Sequence, residues 1–211
     1  MSASTNRVEQ PRRLIIWRHG QTGHNARGVW QGQHDVPLSK KGLRQADEAA
    51  KHLAAYKPVE IVASDLSRAA STAQALSNVT GVPVTYDARM REIDVGQWSG
   101  LDSAQVRSRY GDVLDRVDQG EDLQRGETGE TVAQVARRAR EAADELIGRL
   151  PVGECAVIAS HGVTSRALAA SLVGMDQHTA WTSLVGMGNC RWTTLVESRT
   201  GWRIEGWNSC R

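Results

Sequence analysis

A chain of 211 residues, of which 40% are hydrophobic and 24% charged, has the composition of an ordinary globular protein and is long enough for one substantial domain. Its formal net charge of +2 is too small for a nucleic-acid-binding surface, and no apolar stretch approaches the length of a membrane span. The 3 cysteines are widely separated and odd in number, which favours reduced thiols over a disulfide framework or a zinc site. We therefore expect neither a nucleic-acid partner nor a membrane partner.

The chain starts with a polar segment. Residues 1–13 lack an apolar stretch of the signal-peptide type, which predicts a protein that stays in the cytoplasm. No internal repeat or low-complexity linker interrupts the rest of the sequence, so we expect residues 1–211 to form a single domain. Within that domain, residues 1–12 are expected to be flexible.

Short apolar runs alternate with longer amphipathic segments, which is typical of βα units around a mainly parallel sheet. The runs predicted as strands are 14–17, 60–63, 82–86, 155–159, 191–196 and 202–207. The segments predicted as helices are 42–55, 67–79, 130–150 and 162–173. The expected fold is an α/β three-layer sandwich, in which helices flank a mainly parallel central sheet and the last two strands form a closing C-terminal hairpin.

In three segments the sequence also indicates where a strand lies in the sheet or how regular the chain is. The run 155–159 is apolar without alternation, which indicates a central strand that is buried on both faces. Pro83 in the run 82–86 favours an edge strand or a strand start. Residues 112–129 are rich in Asp, Gly and Gln, and this composition predicts a loop with a broken helix.

Basic side chains follow three of the predicted strands. Arg18 and His19 follow the first strand, Arg68 follows the second, and His161 follows the run 155–159. Because the carboxyl ends of parallel strands meet at one edge of a sheet, we expect these four side chains to converge there. Each of them alone is more often a solvated or structural residue. Their coincidence at successive strand ends predicts a site for a concentrated negative charge, and a phosphoryl group fits best.

Two further residues near these strand ends, Gly20 and Glu92, are candidates for the same site. Gly20 follows His19 and allows the backbone to approach a ligand closely. Glu92 follows the third strand and stands between Arg91 and Ile93. Its carboxylate could lie in the same cleft or could pair with Arg91, and the residues alone leave both alternatives open.

Short motifs along the chain join these residues into one series. The series comprises 18–22 with Asn25, 31–32 with Asp35, 37–39, 64–66 with Arg68 and Ala69, 91–93 with Gly96 and Trp98, 129–131, and 161–162. In this order, from about residue 14 to the closing hairpin, it resembles the histidine phosphatase superfamily, the phosphoglycerate mutase-like proteins. The resemblance therefore covers nearly the whole chain.

The resemblance implies a role for each matching residue. His19 corresponds to the nucleophile that becomes phosphorylated, Arg18, Arg68 and His161 to the clamp on the phosphate, and Glu92 to the proton donor for the leaving oxygen. The other residues expected to bind substrate are Asn25, Gln31, Gly32 and Gly162. The implied partner is a small-molecule phosphomonoester, no cofactor is implied, and a homodimer is common among relatives.

Elementary chemistry agrees with these roles. To attack phosphorus, His19 must be neutral, and nearby positive charges on Arg18 and Arg68 would lower its pKa from the ordinary value of about 6.5. The same arginines would neutralise the phosphoryl oxygens. No cluster with metal-ligand spacing is present in the sequence, so we expect a metal-independent reaction.

Two alternatives to a phosphatase remain. A cofactor-dependent phosphoglycerate mutase would return the phosphoryl group to substrate, but such mutases typically carry an arginine and a tyrosine-glycine pair where this chain has 93–96, and they carry a longer insertion. A member that only binds a phosphorylated ligand would usually have lost its nucleophile or clamp, and here both are present. The residues favour the phosphatase.

The substrate is suggested by the end of the chain. Residues 186–189, 191–193, 202–204 and 207–208 are similar to the tails of actinobacterial glucosyl-3-phosphoglycerate phosphatases. Arg27, Arg89 and Arg91 are candidates to pair with a substrate carboxylate. The expected substrate is a small phosphorylated acid or sugar phosphate, with glucosyl-3-phosphoglycerate as the leading candidate.

Overall fold

The computed structural model describes residues 10–210. Most of the segment expected to be flexible, residues 1–9, therefore lies outside the described residues. Arg12, within that segment, is held in place. Its guanidinium donates to both carboxylate oxygens of Glu197 at 2.6 and 2.7 Å, and to the carbonyl oxygen of Ile147 at 2.8 Å. Arg12 thus links the start of the described chain to the helix that contains Ile147 and to the C-terminal strand that contains Glu197.

The described residues form one mixed sheet with helices on both faces. The strands are β1 (Arg13–Arg18), β2 (Glu60–Ala63), β3 (Val84–Tyr86), β4 (Cys155–Ser160), β5 (Trp192–Ser198) and β6 (Gly201–Ser209). The helices are α1 (Gly23–Arg27), α2 (Lys40–Ala54), α3 (Ser67–Thr80), α4 (Ser103–Asp118), α5 (Val132–Arg149), α6 (Gly162–Val173) and α7 (Gln177–Ser183). Short 3-10 turns occupy Ala88–Met90 and Gly96–Trp98. Within this described region, no helix is long and apolar enough to cross a membrane.

The strand order is β3-β2-β4-β1-β5-β6. The first four strands in this order are parallel, and β5 and β6 run antiparallel as the C-terminal hairpin. The expected α/β class with a mainly parallel sheet and a closing hairpin is confirmed. The completely buried strand β4 lies between β2 and β1, and β3, which follows Pro83, is at the edge.

Hydrophobic side chains alternate between the two faces of the sheet. Ile15 and Trp17 of β1 pack with α2 and α3, whereas Leu14 and Ile16 pack with α5 and α6. Both faces of the central strands are therefore covered, which is why these strands read as continuous apolar runs. Burial of this apolar surface stabilises the fold by about 25 cal/mol per Å².

The register of the parallel strands brings three strand ends together. Arg18 at the end of β1 is opposite Ser160 at the end of β4, and Ala63 at the end of β2 is opposite Ala159. The loops that leave β1, β2 and β4 therefore start side by side. Gly20 lies in the first of these loops and packs against α2, where a Cβ would lie 2.4 Å from the Gly42 carbonyl oxygen. The glycine therefore allows close packing against this helix rather than close approach to a ligand.

One segment differs from its sequence-based prediction. Residues 112–118 continue α4, and only residues 119–131 form turns without a helix. Helix α4 is interrupted at Tyr110, whose backbone is not helical. It starts with a capping box in which the Asp102 carboxylate accepts from the Gln105 N–H and the Gln105 side chain accepts from the Asp102 N–H. The helix is polar with few buried residues, which is why its periodicity was too weak to predict it. The short helix α7 was not predicted either.

Candidate active site

The side chains that follow the three parallel strands meet in one cluster. Arg18 is the last residue of β1 and His19 follows it, Arg68 lies in the first turn of α3, which follows β2, and His161 directly follows β4. The rings of His19 and His161 meet edge to face with centroids 5.1 Å apart. His19 is 2% exposed, Arg68 1% and His161 0%. The structure therefore buries two histidines and an arginine at the carboxyl edge of the sheet.

A cavity of about 270 Å³, here called the central pocket, opens beside this cluster. Its walls include Arg18, His19, Asn25, Gln31, Gly32, Arg68 and Glu92. His161 and Gly162 are not wall residues. His161 lies behind His19, and a Cβ on Gly162 would lie 3.4 Å from the guanidinium carbon of Arg18. Gly162 thus lies next to Arg18 at the start of α6, and an added Cβ would only make an ordinary van der Waals contact there.

The tautomer of His19 follows from its surroundings. Its Nδ1 lies 2.7 Å from the carbonyl oxygen of Gly20, which can only accept, so Nδ1 carries the hydrogen and Nε2 keeps its lone pair. Burial, followed by the positive charges of Arg18 and Arg68, lowers the pKa of His19 well below 6.5. The imidazole is therefore neutral and nucleophilic at Nε2 at neutral pH.

His161 is also held neutral. Its Nε2 lies 2.9 Å from the Ser64 hydroxyl, and its Nδ1 has no hydrogen-bond partner among residues 10–210. Burial is the main cause that lowers the pKa of His161 well below 6.5, and the charge of Arg68 adds to it. A neutral imidazole with one free ring nitrogen thus stands directly behind His19.

The two arginines are positioned by backbone carbonyl groups. Arg68 donates to the carbonyl oxygens of His34 and Gly32, each at 2.8 Å, and Arg18 donates to that of Met187. In the described region, the Nε atoms of both arginines are buried without a partner, and neither side chain has a carboxylate at ion-pair distance. One buried and one half-buried guanidinium, neither with a carboxylate at ion-pair distance in the described region, make this cavity well suited to an anion.

Gly32 has a specific reason to be glycine. Its φ is +50°, and a Cβ would lie 2.7 Å from a methyl carbon of Val95. The left-handed backbone turns the carbonyl oxygen of Gly32 toward Arg68. Gln31, beside it, accepts a hydrogen bond from the Thr22 hydroxyl at 2.8 Å, which fixes the wall of the central pocket.

The Glu92 carboxylate lies at the N-terminus of α6 and does not pair with the Arg91 guanidinium. Its Oε1 accepts from the backbone N–H groups of Ile93 and Thr164 at 3.0 and 3.1 Å and from the Thr164 hydroxyl at 3.2 Å. Its Oε2 has only one long hydrogen bond, from the Val163 N–H at 3.3 Å. Oε2 is therefore the oxygen that is available to the pocket.

Arg91 is occupied elsewhere, which resolves the alternative that the sequence left open. Its guanidinium binds both oxygens of Asp65 at 2.8 and 2.5 Å. Arg89 is likewise paired, with Asp87 and Glu145. Neither arginine contributes to the central pocket, and Arg27 is exposed outside its walls. The three arginines suggested as carboxylate partners are thus poorly placed for that role.

Two residues that position the site were missed in the sequence. Thr164 orients Glu92, and its hydroxyl also donates to the carbonyl oxygen of Arg91 at 2.8 Å. Asn189 donates to the carbonyl oxygen of His19 at 3.1 Å and to the side chain of Asn25 at 3.2 Å. Asn189 belongs to the tail motif noted before the hairpin, whereas Thr164 carries no signal except its place in the first turn after Gly162.

Residues 10–210 contain no group of three or more His, Cys, Asp or Glu side chains that could hold a metal ion. Cys155, Cys190 and Cys210 are free thiols, and burial raises the pKa of Cys155 and of Cys190 to about 12. The positively charged side chains among the walls of the central pocket are those of Arg18 and Arg68.

We expect the protein to lose stability as the pH falls below about 6.5. Burial lowers the pKa of His19 and of His161 in the folded state, so the unfolded chain binds more protons than the folded chain in that range. The free energy of unfolding should fall by up to about 1.4 kcal/mol per pH unit for each histidine. Denaturant titrations between pH 6.5 and 5 measure it, and the His161→Asn variant should show about half the slope. A flat profile would contradict the buried neutral histidines.

Comparison with known proteins places this site in a family. The model of the histidine phosphatase superfamily (branch 1) matches residues 14–210. Glucosyl-3-phosphoglycerate phosphatase of Mycolicibacterium vanbaalenii is 36% identical over an alignment of 216 residues, covering 94% of this chain and 95% of the relative. A probable phosphoglycerate mutase of Yersinia enterocolitica is 29% identical over 194 residues, covering 92% of this chain and 89% of the relative.

The structural comparison agrees with the sequence comparison. A solved structure of a mycobacterial glucosyl-3-phosphoglycerate phosphatase in complex with VO3 has a TM-score of 0.87 and 37% sequence identity, covering 94% of this chain and 99% of that chain. The resemblance predicted from the motifs and from the tail is therefore confirmed. This chain belongs to the histidine phosphatase superfamily.

Proposed function

We propose that this protein hydrolyses a small phosphomonoester through a phosphohistidine on His19, and that its substrate is glucosyl-3-phosphoglycerate. The central observation is the neutral Nε2 of His19 in a pocket with two arginines that have no carboxylate at ion-pair distance in the described region. Similarity to glucosyl-3-phosphoglycerate phosphatases over nearly the whole chain supports the choice of substrate.

The phosphoryl group binds in the central pocket. The guanidinium groups of Arg18 and Arg68 bind its oxygens, and Asn25, Gln31 and Gly32 line the space around it. Donors fixed in this way stabilise the developing charge of the transition state by about 3–4 kcal/mol each. Carbonyl groups already hold both arginines in position, so little reorganisation is needed.

The first step transfers the phosphoryl group to the protein. The lone pair on His19 Nε2 forms the N–P bond while the P–O ester bond breaks, and the electron pair of that bond goes to the leaving oxygen. Glu92 serves as the general acid, and a proton passes from its Oε2 to this oxygen, which leaves as an alcohol. The hydrogen on His19 Nδ1 stays on the ring, and its hydrogen bond to the Gly20 carbonyl oxygen stabilises the positive charge that the ring acquires.

Hydrolysis of the intermediate restores the protein. The carboxylate of Glu92 takes a proton from a water molecule as its oxygen bonds to phosphorus, and the N–P bond breaks with its electron pair returning to His19 Nε2. Inorganic phosphate leaves, and Glu92 is protonated again. His161 is not a wall of the central pocket, so its role in the clamp rests on the Nδ1 that it carries beside His19, which is unpartnered in the described region. No step requires a metal ion.

A phosphoglycerate mutase is the second candidate, favoured by similarity to the probable mutase of Yersinia enterocolitica. The two functions share the first step and differ in whether water or a substrate hydroxyl accepts the phosphoryl group. We also propose a cytoplasmic location, supported by the three free thiols, which fit a reducing compartment. The homodimer stays a prediction.

The proposal is tested by kcat/KM values across a panel of phosphomonoesters. The panel contains glucosyl-3-phosphoglycerate, 3-phosphoglycerate, simple sugar phosphates, phosphopeptides and p-nitrophenyl phosphate. We expect release of inorganic phosphate from glucosyl-3-phosphoglycerate with the highest kcat/KM. Efficient interconversion of phosphoglycerates without phosphate release would favour the mutase, and a preference for phosphopeptides would contradict the proposed substrate.

The same assay, repeated after dialysis against a chelator, tests the mechanism. The rate should be nearly unchanged, because the phosphoryl charge is met by Arg18 and Arg68. Loss of activity that returns with magnesium or zinc would overturn the metal-independent mechanism.

A further inference from the structure

A second cavity of about 220 Å³, here called the side pocket, adjoins the central pocket. The two cavities share the wall residues Trp30, Ile93, Ser103 and Val163. A substrate whose phosphoryl group lies against His19 can therefore extend its alcohol portion past these residues. The reaction described above assigns no role to the side pocket.

Arg125 provides the side pocket with an unusual positive charge. It is 2% exposed and lies on the turns after α4. Within residues 10–210 its side chain makes one hydrogen bond, from a terminal nitrogen to the carbonyl oxygen of Leu123, and no carboxylate lies at ion-pair distance. Burial lowers the pKa of Arg125, and Asp122 and Asp118 oppose this shift only from a distance. A buried guanidinium with free donors is costly unless a ligand accepts from them.

The other charged groups of this cavity are already paired or stacked. Arg107 pairs with Asp115 at 2.6 Å and with Asp118 at 3.3 Å. Two cations lie within cation–π distance of Trp181: the guanidinium carbon of Arg166 is 3.8 Å from its ring centroid and that of Arg125 is 5.4 Å away. Among the charged wall residues of the side pocket, which are Arg107, Asp118 and Arg125, Arg125 is therefore the one with no oppositely charged side chain at ion-pair distance in the described region.

The rest of the side-pocket wall is apolar and aromatic. Leu114, Val117, Trp30 and Trp181 form much of it. Such a surface excludes water and suits the C–H face of a sugar ring, while a single buried charge fixes the orientation of the ligand. Largely apolar walls with one guanidinium that has no ion pair in the described region match a glycosylated carboxylic acid better than a simple sugar or a peptide.

We propose that the side pocket binds the leaving alcohol of the substrate and that Arg125 pairs with its carboxylate. This inference rests on the proposed function and specifies how its substrate is recognised. Arg125 takes the role of carboxylate partner that the sequence suggested for Arg27, Arg89 and Arg91, which are exposed or already paired. A planar guanidinium can bind both oxygens of a carboxylate, so Arg125 determines specificity for acidic substrates.

The test compares two ligands that differ only in the carboxylate. 3-Phosphoglycerate and glycerol 3-phosphate compete with p-nitrophenyl phosphate, and their inhibition constants are measured whether or not they are hydrolysed. In the Arg125→Gln variant, the inhibition constant of 3-phosphoglycerate should rise about 10- to 100-fold, as expected for loss of a charged hydrogen-bond pair. That of glycerol 3-phosphate, which has no carboxylate, should stay the same. Arg125→Lys should restore part of the difference.

Arg116→Gln is the matched control. Arg116 lies on α4, carries the same charge, is exposed and pairs with Glu121 at 2.7 Å outside the side pocket. Its removal should leave both inhibition constants unchanged. An equal rise for both ligands in Arg125→Gln, or no rise for either, would overturn the role of Arg125.

A comparison in the unaltered protein covers the case in which Arg125→Gln does not fold. Glucosylglycerate, the dephosphorylated product, should inhibit at least 10-fold more strongly than glucosylglycerol, which lacks the carboxylate. Equal inhibition overturns the side-pocket assignment alone, provided that p-nitrophenyl phosphate is hydrolysed. If the unaltered protein hydrolyses no phosphomonoester, the proposed function fails and the side-pocket assignment fails with it.

Discussion

Replacing His19 with alanine is expected to abolish turnover of every phosphomonoester. His19 Nε2 is the atom that forms the bond to phosphorus, and no other imidazole among the pocket walls can replace it. Loss of a nucleophile of this kind costs on the order of 10⁶-fold in kcat. The rate of phosphate release from glucosyl-3-phosphoglycerate and from p-nitrophenyl phosphate measures the effect.

The phosphoenzyme provides the direct evidence. Rapid quenching of the unaltered protein with a labelled substrate should trap a label that is stable in alkali and labile in acid, and His19→Ala should trap none. The variant should still bind inorganic phosphate, since Arg18 and Arg68 remain. His52→Ala is the control, because His52 is exposed on α2 and away from the central pocket. Substantial residual turnover in His19→Ala would refute the assignment.

Replacing Glu92 with glutamine should slow alkyl phosphates far more than p-nitrophenyl phosphate. An alkoxide leaves poorly without a proton, whereas p-nitrophenolate leaves readily, so the proton held by Glu92 matters only for the first class. General acid catalysis of this type contributes about 100- to 10,000-fold. The ratio of kcat values for glucosyl-3-phosphoglycerate and p-nitrophenyl phosphate measures the difference between the two classes.

Glutamine is suited to this test because its side-chain oxygen can still accept from the N–H groups of Ile93 and Thr164. The start of α6 should therefore remain intact, and thermal unfolding should change little. Glu48→Gln, an exposed carboxylate on α2, is the control. Equal losses for both substrates would identify Glu92 as a positioning residue instead.

Much of the fold was predictable because its signals are local. The run 155–159 lacks alternation, and strand β4 is buried on both faces at the centre of the sheet. Helix α4 was only partly predicted because its buried positions are few and Tyr110 interrupts it. The order of the strand-end motifs along the chain also indicated where the phosphate-binding side chains would converge.

The sequence by itself determined the parallel α/β architecture, the convergence of Arg18, His19 and Arg68, and the family, since periodicity and motif order are properties of neighbouring residues. Only the tertiary structure decided which charges are neutralised. Pairs such as Arg91 with Asp65, 26 positions apart, and Arg89 with Glu145, 56 apart, join distant parts of the chain. The tertiary structure also places Glu92 at the start of α6 and Arg125 without a close acidic partner in the described region. The reason is that the packing of helices and loops, and not sequence spacing, decides which charged side chains come within ion-pair distance.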